Sequence, residues 1–487
     1  MVILPWIKKN AIILILAAVF VNGIVHAAFL PLWQNHDESA HYSYIEYLVE
    51  QKSVPVYEGV FLTPHDLSFS NEFESYDQVL RSRKSLEDFI YRGQWSHQEF
   101  PESLSIAKSE TARIPQTSGM SQSEQYKNPA AIYSPVYYAL ASVPYRLFSS
   151  ADLLTRAFAL RVFSVLIFLV VVYFSYLCSK LLFSDSRIAL SVAAIIGFLP
   201  RLVSVSSGIS YSVLIYALGA MLVYLGLKIS KSGWTMKRSL LLGCILAVGI
   251  LVKIEFAIFL PAILVLFILT SIKYRFSRWH FFYYGISQII AIVLSMWWFV
   301  WNSIWYNNIT GPALAISTNF SLAEGSTLYA ITLVAVRYIR MFESLWNNLG
   351  CCGVSTIQSI MVFGMAALTI MAIGGGIFYI IRSIRRGSTI NHSTMSILWL
   401  ISTLFFLDML LLQMFINNVV LYAKTHFPID GRYFFFLIIP IVLVLVWGSV
   451  NLLPKRFQYT IVSLIAILVI MYNGGVVFGY LLSSYYM

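Results

Sequence analysis

Four residues that could carry acid–base chemistry stand together near the start of the chain. The stretch NHDESAHYSYIEY contains His36, Asp37, Glu38 and His41, directly after an apolar run. A carboxylate at a membrane–water boundary is partly desolvated, which raises its basicity and suits it to take a proton from a hydroxyl group. The same acids would also fit the first turn of a helix, where the helix dipole favours negative charge. Both interpretations, a catalytic pair and a helix cap, are therefore open.

Cations in unusual positions form a second set of candidates. Basic residues near a bilayer core are costly and usually have a partner or a ligand, and a guanidinium group can bind phosphate through two parallel hydrogen bonds. For Lys253, an ion pair with Glu255 is an equally good explanation, and Glu343 offers Arg340 a similar partner. The candidates for binding a phosphate or pyrophosphate group are, in order, Arg432, Lys253, Arg337, Arg201 and Arg340.

The composition indicates that these residues are held by membrane helices. Of 487 residues, 59% are hydrophobic and 11% are charged, and the mean hydropathy is +0.75. Soluble domains carry about a quarter charged residues. The four cysteines show no spacing typical of a disulfide framework or of a metal centre. The composition predicts an all-α polytopic membrane protein.

About eleven apolar runs are long enough to be transmembrane helices. The first also resembles a secretory signal peptide, and we expect it to remain as an uncleaved helix. Shorter runs at roughly 130–148 and 329–341 predict interfacial or re-entrant segments. The eleven runs lie at roughly 11–31, 158–179, 188–208, 210–227, 239–253, 256–272, 281–303, 356–381, 396–417, 432–450 and 458–482.

The distribution of charge predicts the orientation. With the N-terminus in the cytoplasm, the inner loops hold 16 of the 33 basic residues and one acid, Asp185. This is the excess of Lys and Arg expected of cytoplasmic loops. The net charge of +11 is therefore a topology signal, and nucleic acid is not an expected partner.

Sixteen of the 22 acids lie between residues 32 and 157, which predicts a large first extracytoplasmic loop with amphipathic juxtamembrane helices. The predicted organisation is the first transmembrane helix at 1–31, this loop at 32–157, helices two to seven at 158–303, a second extracytoplasmic loop with an interfacial helix at 304–355, and helices eight to eleven at 356–487.

The acidic pair resembles the hallmark of the GT-C superfamily of integral-membrane glycosyltransferases. In that superfamily an acid or acidic pair follows the first helix and is soon followed by His or Tyr. Here the pattern reads Asp37-Glu38-x-x-His41-Tyr42. The chain departs from the family in RLVSVSSGISYSVLIY, which has no acid where related proteins often carry Asn-x-Asp. Other short matches occur in the family's order, at Pro135, Tyr137 and Tyr138, at Arg161 and Ser164, at Lys253, and at Gly431, Arg432 and Tyr433.

The resemblance implies transfer of a single sugar, with inversion, from a polyprenyl-phosphate donor to an extracytoplasmic glycan such as O-antigen. Glucose is the favoured sugar, by similarity to bacterial and phage-borne enzymes that glucosylate O-antigen. Asp37 would be the general base, and Glu38 would orient the acceptor or contribute to a metal site; the two roles could be exchanged. His36, His41 and Tyr42 are candidates for contacts to the acceptor or to the acids. No cofactor is required, and dependence on a divalent metal is left open.

The resemblance also implies partners and a location. The partners are a polyprenyl-phosphate-linked sugar donor, a lipid-linked or surface glycan as acceptor, membrane lipid, a flippase and a donor synthase. The location is the bacterial cytoplasmic (inner) membrane, with the N-terminus in the cytoplasm and the active site on the periplasmic face.

Two other classes of protein compete with this interpretation. An O-antigen ligase or polymerase usually has its main outer loop late in the chain, whereas the long loop here comes first. A transporter or lipid flippase tends to show repeated halves and ionisable residues at mid-membrane. No repeat stands out, but Asp408 lies well inside an apolar run. A transporter should depend on Asp408, and a transferase on Asp37.

Overall fold

The described part of the chain is helical. No β-strand occurs within it, which confirms the all-α prediction. A computed structural model describes residues 3–30, 32, 35, 37–57, 128–183, 185–275, 277–312, 327–347, 356–385, 392–416 and 431–481.

Fifteen α-helices and several tighter or wider turns make up these ranges. Three 3-10 helices lie at Pro129–Ile132, Ile254–Ile258 and Gly431–Leu437, and a π-helical turn lies at Val477–Leu481. The α-helices are α1 Ile3–Phe29, α2 Glu38–Glu50, α3 Val136–Leu147, α4 Leu153–Leu182, α5 Ser186–Gly197, α6 Pro200–Ser206, α7 Ser212–Ser232, α8 Met236–Val252, α9 Phe259–Tyr274, α10 Arg278–Tyr306, α11 Thr327–Asn347, α12 Thr356–Arg385, α13 His392–Ile416, α14 Ile438–Asn451 and α15 Lys455–Val476.

Among the described residues, nine helices are long and apolar enough to cross a membrane, and the bent pair α5 and α6 makes a tenth candidate. The pair is bent by 60° where Pro200 begins α6, because proline lacks the backbone N–H that would continue α5. The one predicted run that is not among these candidates, 239–253, forms α8. Its 17 residues rise only about 26 Å, slightly less than the ~30 Å of a hydrocarbon core.

Helices α7 and α14 lie at the centre of the bundle. In α7, 72% of the most apolar stretch is buried inside the protein, and the same share is buried in the span that contains α14; the figure for α12 is 17%. Helix α7 packs against α4, α8, α9, α13 and α14. The central helices therefore form the protein core, while α12 exposes most of its apolar surface.

Besides α8, three of the described helices lie outside the candidate spans, namely α2, α3 and α11. Helix α2 packs against α3 and the 3-10 helix Pro129–Ile132, and α11 packs against α6, α12 and the 3-10 helix Gly431–Leu437. Helices α2 and α3 lie within the predicted first loop, whose residues 58–127 are outside the described ranges. Helix α11 contains the run at 329–341 for which an interfacial segment was predicted.

Candidate functional site

Four charged side chains line one pocket beside the start of α2. They are Asp37, Lys253, Glu255 and Arg432, and the pocket encloses about 220 Å³. Aromatic and hydroxyl groups complete its lining, including His41, Tyr133, Ser210, Tyr211 and Tyr433. The fold thus brings three charges from two distant parts of the sequence to the first acid of the acidic pair.

Asp37 has a strained backbone and an exposed side chain. Its φ and ψ are 57° and 18°, in the left-handed region, which Asp and Asn adopt more readily than most residues. Its carbonyl oxygen accepts a hydrogen bond from the backbone N–H of His41 at 3.0 Å. Its carboxylate makes no capping hydrogen bond to α2. The helix-cap interpretation therefore fails for this side chain, and backbone strain of this kind is typical of functional sites.

Glu38 has the opposite environment, because its side chain is buried and paired. Its residue is 1% exposed. The carboxylate accepts two hydrogen bonds from the Arg161 guanidinium, at 2.8 Å from Nε to Oε1 and 2.6 Å from Nη2 to Oε2. Oε1 also accepts the backbone N–H of Ile209 at 3.0 Å. The structure therefore separates the two neighbouring acids, with Asp37 in the pocket and Glu38 in the protein core.

Arg161 extends this pairing to the end of the first helix. Its Nη1 donates to the carbonyl oxygens of Ala27 at 2.9 Å and Leu30 at 2.6 Å. One guanidinium group on α4 consequently links the end of α1 to the start of α2, and Glu38 links both to the turn before α7. Arg161, one of the residues that resembles the GT-C pattern, therefore has a structural role in this protein.

His41 lines the pocket but is neutral at pH 7. It is buried, its Nδ1 is 2.9 Å from the hydroxyl oxygen of Tyr138, and its ring lies edge-on to Tyr211 at 5.2 Å. Burial lowers the pKa of the His41 imidazole to about 4, against the opposing effect of the Asp37 carboxylate and with a further lowering by Arg432. His41 therefore adds no positive charge to the site.

Tyr42, a further candidate near the acidic pair, does not line the pocket. The Tyr42 ring is fully buried and packs edge-on to Tyr145, with centroids 5.9 Å apart. His36 lies outside the described residues.

Lys253 is both in the pocket and ion-paired. Helix α8 ends at Val252, and Lys253 follows in extended conformation before the 3-10 helix Ile254–Ile258. Its Nζ is 3.3 Å from Oε1 of Glu255 and 4.7 Å from the ring centroid of Tyr433. Burial acts to lower the pKa of Lys253, but the Glu255 carboxylate contributes to a net increase above the usual value. Lys253 is therefore a cation at pH 7.

Arg432 reaches the pocket from the 3-10 helix Gly431–Leu437. The backbone N–H of Gly431 donates to Oγ of Ser344 at 2.7 Å, and a Cβ atom at Gly431 would overlap the backbone of Leu345. Glycine thus allows the 3-10 helix to lie directly against α11. The Arg432 guanidinium carbon is 5.8 Å from the ring centroid of Tyr433.

Two other predicted phosphate ligands, Arg201 and Arg340, do not line this pocket. Arg201 is buried in α6, and Arg340 is exposed on α11; neither lines the pocket. Helix α11 includes Arg337, but its side chain is outside the described part of the structure. Among the described side chains, the pocket therefore contains two of the five predicted cations, Lys253 and Arg432.

The sequence prediction omitted one charged member of the pocket. It treated Glu255 as a partner of Lys253, whereas the side chain also lines the site. The sequence signal for Glu255 was the pattern Lys-x-Glu at 253–255, which stands where two apolar runs meet. Tyr211 and its serine neighbours lie in the polar stretch SGISYS, where the predicted runs 188–208 and 210–227 meet.

The described residues contain no group of three or more His, Cys, Asp or Glu side chains arranged to hold a metal ion. The two acids of the pocket are accompanied by two cations, which would repel a divalent cation.

A second, apolar pocket contains Asp408. It encloses about 440 Å³ and is lined by side chains of α11, α12, α13 and α14, together with Phe434 of the 3-10 helix that also includes Arg432. Asp408 does not line the charged pocket. The two residues proposed to distinguish a transferase from a transporter, Asp37 and Asp408, thus occupy different pockets.

Fold and site together define a polytopic helical membrane protein with a charged pocket at one end of its bundle. Residues 20–442 match a family model described as "Predicted membrane protein (DUF2142)". The match covers most of the chain, which belongs to this family. No curated protein matches the chain.

Solved structures similar to the chain include those of an oligosaccharyltransferase from Archaeoglobus fulgidus. Its crystal structure in the apo form has 14% sequence identity and a TM-score of 0.47, and the alignment covers 99% of this chain and 57% of that one. The archaeal enzyme AglB in complex with an inhibitory peptide and a dolichol-phosphate has 12% identity, a TM-score of 0.45, and coverage of 99% and 56%. The chain spans a little over half the length of these proteins.

Proposed function

We propose that this protein is an inverting membrane glycosyltransferase, which moves one sugar from a polyprenyl-phosphate donor to an extracytoplasmic glycan. The observation that carries the proposal is that a carboxylate, Asp37, and two cations, Lys253 and Arg432, line one small pocket. A base and a phosphate-binding group are the two functions that such a reaction requires. Glucose is the first sugar to test, and O-antigen is the first acceptor.

In the proposed reaction Asp37 acts as the general base. An acceptor hydroxyl oxygen attacks the anomeric carbon from the side opposite the phosphate, and its proton passes to the Asp37 carboxylate. The bond between the anomeric carbon and the phosphate oxygen breaks, and the electron pair stays on that oxygen. A single displacement of this kind inverts the anomeric configuration.

Arg432 and Lys253 have the complementary role of binding the phosphate. The leaving polyprenyl phosphate gains negative charge as the bond breaks, and cations at fixed positions stabilise such charge. Arg432 is our first candidate because a guanidinium group can contact two phosphate oxygens at once. Lys253 is the second, since part of its charge is already balanced by Glu255 at 3.3 Å.

Glu38 and Arg161 are proposed as positioning residues. Their buried pairing fixes the residue that follows Asp37, which supports the left-handed backbone at Asp37. This assignment gives the acidic pair two distinct roles, with one acid in the reaction and the other in the scaffold.

The location and the partners belong to the same proposal. The bias of Lys and Arg toward alternate loops supports a cytoplasmic N-terminus and a pocket on the periplasmic side of the bacterial inner membrane. A lipid-linked donor would approach from the bilayer, and its supply would require a donor synthase and a flippase.

A complementation experiment tests the proposal. Wild type, Asp37→Asn, Glu38→Gln and Asp408→Asn are expressed at matched levels in cells that make polyprenyl-phosphate sugars, and surface glycans are analysed by mass spectrometry. We expect wild type to add a sugar, Asp37→Asn to abolish the addition, and Asp408→Asn to keep it. Addition that persists without Asp37 would refute the proposal.

A transporter is the second candidate, and the location of Asp408 is the observation that favours it. Its side chain lies in an apolar pocket within a candidate membrane span, and ionisable groups in such places often belong to transport paths. In the same experiment, loss of the glycan change with Asp408→Asn but not with Asp37→Asn would favour transport.

A further inference from the structure

Glu255 differs from the buried acid Glu38 in how much of its side chain is available to a ligand. Its side chain is 25% exposed and lines the charged pocket. The Glu38 side chain is fully buried, and both of its oxygens accept hydrogen bonds from Arg161. Glu38 thus has the environment of a structural ion pair, whereas Glu255 retains a surface that faces the pocket.

The backbone of Glu255 is held firmly by its neighbours. The N–H of Phe256 donates to the carbonyl oxygen of Lys253 at 3.0 Å, and the Phe256 ring is fully buried. This ring occupies the space that a Cβ atom on Gly249 would need. The hydroxyl group of Ser134 donates to the carbonyl oxygen of Leu251 at 2.5 Å. The 3-10 turn is therefore anchored on both sides of Lys253.

The pair of Lys253 and Glu255 presents a donor beside an acceptor. An ionised carboxylate can accept about four hydrogen bonds and an ammonium group can donate three, so their mutual contact at 3.3 Å leaves capacity on both. Neighbouring hydroxyl groups on a sugar ring match this arrangement, since each hydroxyl can donate to the carboxylate and accept from the ammonium group. The Tyr433 ring beside Lys253 adds an apolar surface for the carbon atoms of the ring.

We propose that Glu255 determines substrate specificity by binding a hydroxyl group of a sugar ring in the charged pocket. Lys253, whose ammonium group can donate three hydrogen bonds, contacts the neighbouring hydroxyl as well as the phosphate. This inference rests on the proposed function. The sugar hydroxyl belongs either to the donor, whose sugar is bonded to the phosphate, or to the acceptor glycan. A residue that discriminates by such a hydrogen bond rejects analogues that lack the hydroxyl, because its carboxylate is then left unsatisfied.

Binding measurements on the purified full chain in lipid nanodiscs test whether the hydroxyl group belongs to the donor. The probes are a short-chain prenyl phosphate, the same compound carrying glucose, galactose or mannose, and single-deoxy analogues of the sugar that binds best. If Glu255 contacts the donor sugar, Glu255→Ala weakens binding of the glycosylated probe by about ten- to hundredfold, the range for a hydrogen bond to a charged group. Binding of the bare prenyl phosphate is not weakened, because removal of Glu255 leaves more of the Lys253 charge for the phosphate. One deoxy analogue binds the wild type as weakly as the intact probe binds Glu255→Ala.

The transfer reaction in membranes tests whether the hydroxyl group belongs to the acceptor. If Glu255 contacts the acceptor, Glu255→Ala leaves donor binding unchanged but raises the acceptor concentration for half-maximal rate by about tenfold or more. Glu255→Gln, which keeps the size and one acceptor oxygen, should show a smaller loss in either experiment and guards against misfolding of the alanine variant. Glu343→Ala is the matched control, because Glu343 is exposed on α11 and does not line the pocket.

Two outcomes would overturn the inference. One is unchanged donor binding together with an unchanged acceptor requirement in Glu255→Ala. The other is an equal change in the binding of bare and glycosylated probes, which would mean that Glu255 acts only through the charge and position of Lys253. In both cases transfer that still depends on Asp37 would leave the proposed function intact; absence of any transfer by the wild type would refute both.

Discussion

The Arg161 guanidinium and the Glu38 carboxylate form a bidentate ion pair inside the protein, with N–O distances of 2.8 and 2.6 Å. The pair lies next to the residue proposed as the general base. It joins α2 to α4, and Arg161 also binds the last carbonyl groups around the end of α1. The position of Asp37 therefore depends on contacts made by its neighbour in the sequence.

Removing one member of this pair should destabilise the protein strongly. Arg161→Met leaves the Glu38 carboxylate buried without its cation, which costs about 3–5 kcal/mol in free energy of unfolding. Replacing both residues, with Glu38→Met and Arg161→Met, should cost less than Arg161→Met alone. The measurement is thermal unfolding in detergent, monitored by the amount of protein that remains monodisperse in size-exclusion chromatography after heating. A double variant less stable than either single variant would contradict this explanation.

Asp37→Asn should remove activity while keeping stability. The side chain is exposed, and asparagine tolerates the left-handed backbone; loss of a general base typically lowers the rate by 10²–10⁴-fold. Asp37→Ala should lose the same activity and in addition about 1–2 kcal/mol of stability, because alanine is disfavoured at positive φ. Glycan mass spectrometry and thermal unfolding on the same preparations measure both effects. Equal stability of the two variants would show that the backbone strain is not important.

The helices could be predicted from the sequence because hydropathy is a local property. An apolar run such as 158–179 is long enough to span a bilayer whatever surrounds it, and the corresponding helix α4 was found as Leu153–Leu182. The predicted acidic motif also led to the pocket, since Asp37 lines it. Local pattern is sufficient for these two results.

The division of roles between Asp37 and Glu38 could not be predicted in the same way. The two acids are adjacent, and only the left-handed backbone at Asp37 directs one carboxylate to the pocket and the other toward Arg161. Whether Arg432 or Arg201 lies in the pocket also depends on tertiary packing. Both are single cations in apolar surroundings, but the packing of Gly431 against α11 brings only the first into the pocket.

Arg432 should control the affinity for the donor. Arg432→Gln removes a charged hydrogen-bond donor from the proposed phosphate site, and we expect KM for the donor to rise by about ten- to hundredfold. Arg432→Lys keeps the charge but loses the two-pronged geometry, so its effect should be intermediate. Arg146→Gln is the control, since Arg146 is exposed on α3 and does not line the pocket. Unchanged donor KM in Arg432→Gln would remove Arg432 from the site.

The buried His41 should make stability depend on pH. The pKa of His41 is about 4 in the folded protein, against an ordinary value of 6.5 that applies to the unfolded chain. The unfolded chain therefore binds a proton at pH values where the folded protein does not. Stability is therefore lost as the pH falls from 6.5 toward 4, by about 3 kcal/mol in total. His41→Gln should show a weaker dependence over this window. Thermal unfolding of both proteins between pH 4 and pH 7 measures the difference, and identical slopes would contradict the prediction.

The close contact at Gly431 should be necessary for the site. Gly431→Ala places a methyl group where the backbone of Leu345 lies, so the 3-10 helix that contains Arg432 must move away from α11. Overpacking of this kind costs about 1–3 kcal/mol, and displacement of Arg432 should raise KM for the donor as well. Gly285→Ala is the control, because a Cβ atom there meets nothing within 4 Å and alanine favours the helix α10. If Gly431→Ala and Gly285→Ala had the same unfolding temperature and donor KM, the packing of Gly431 against α11 would not determine the position of Arg432.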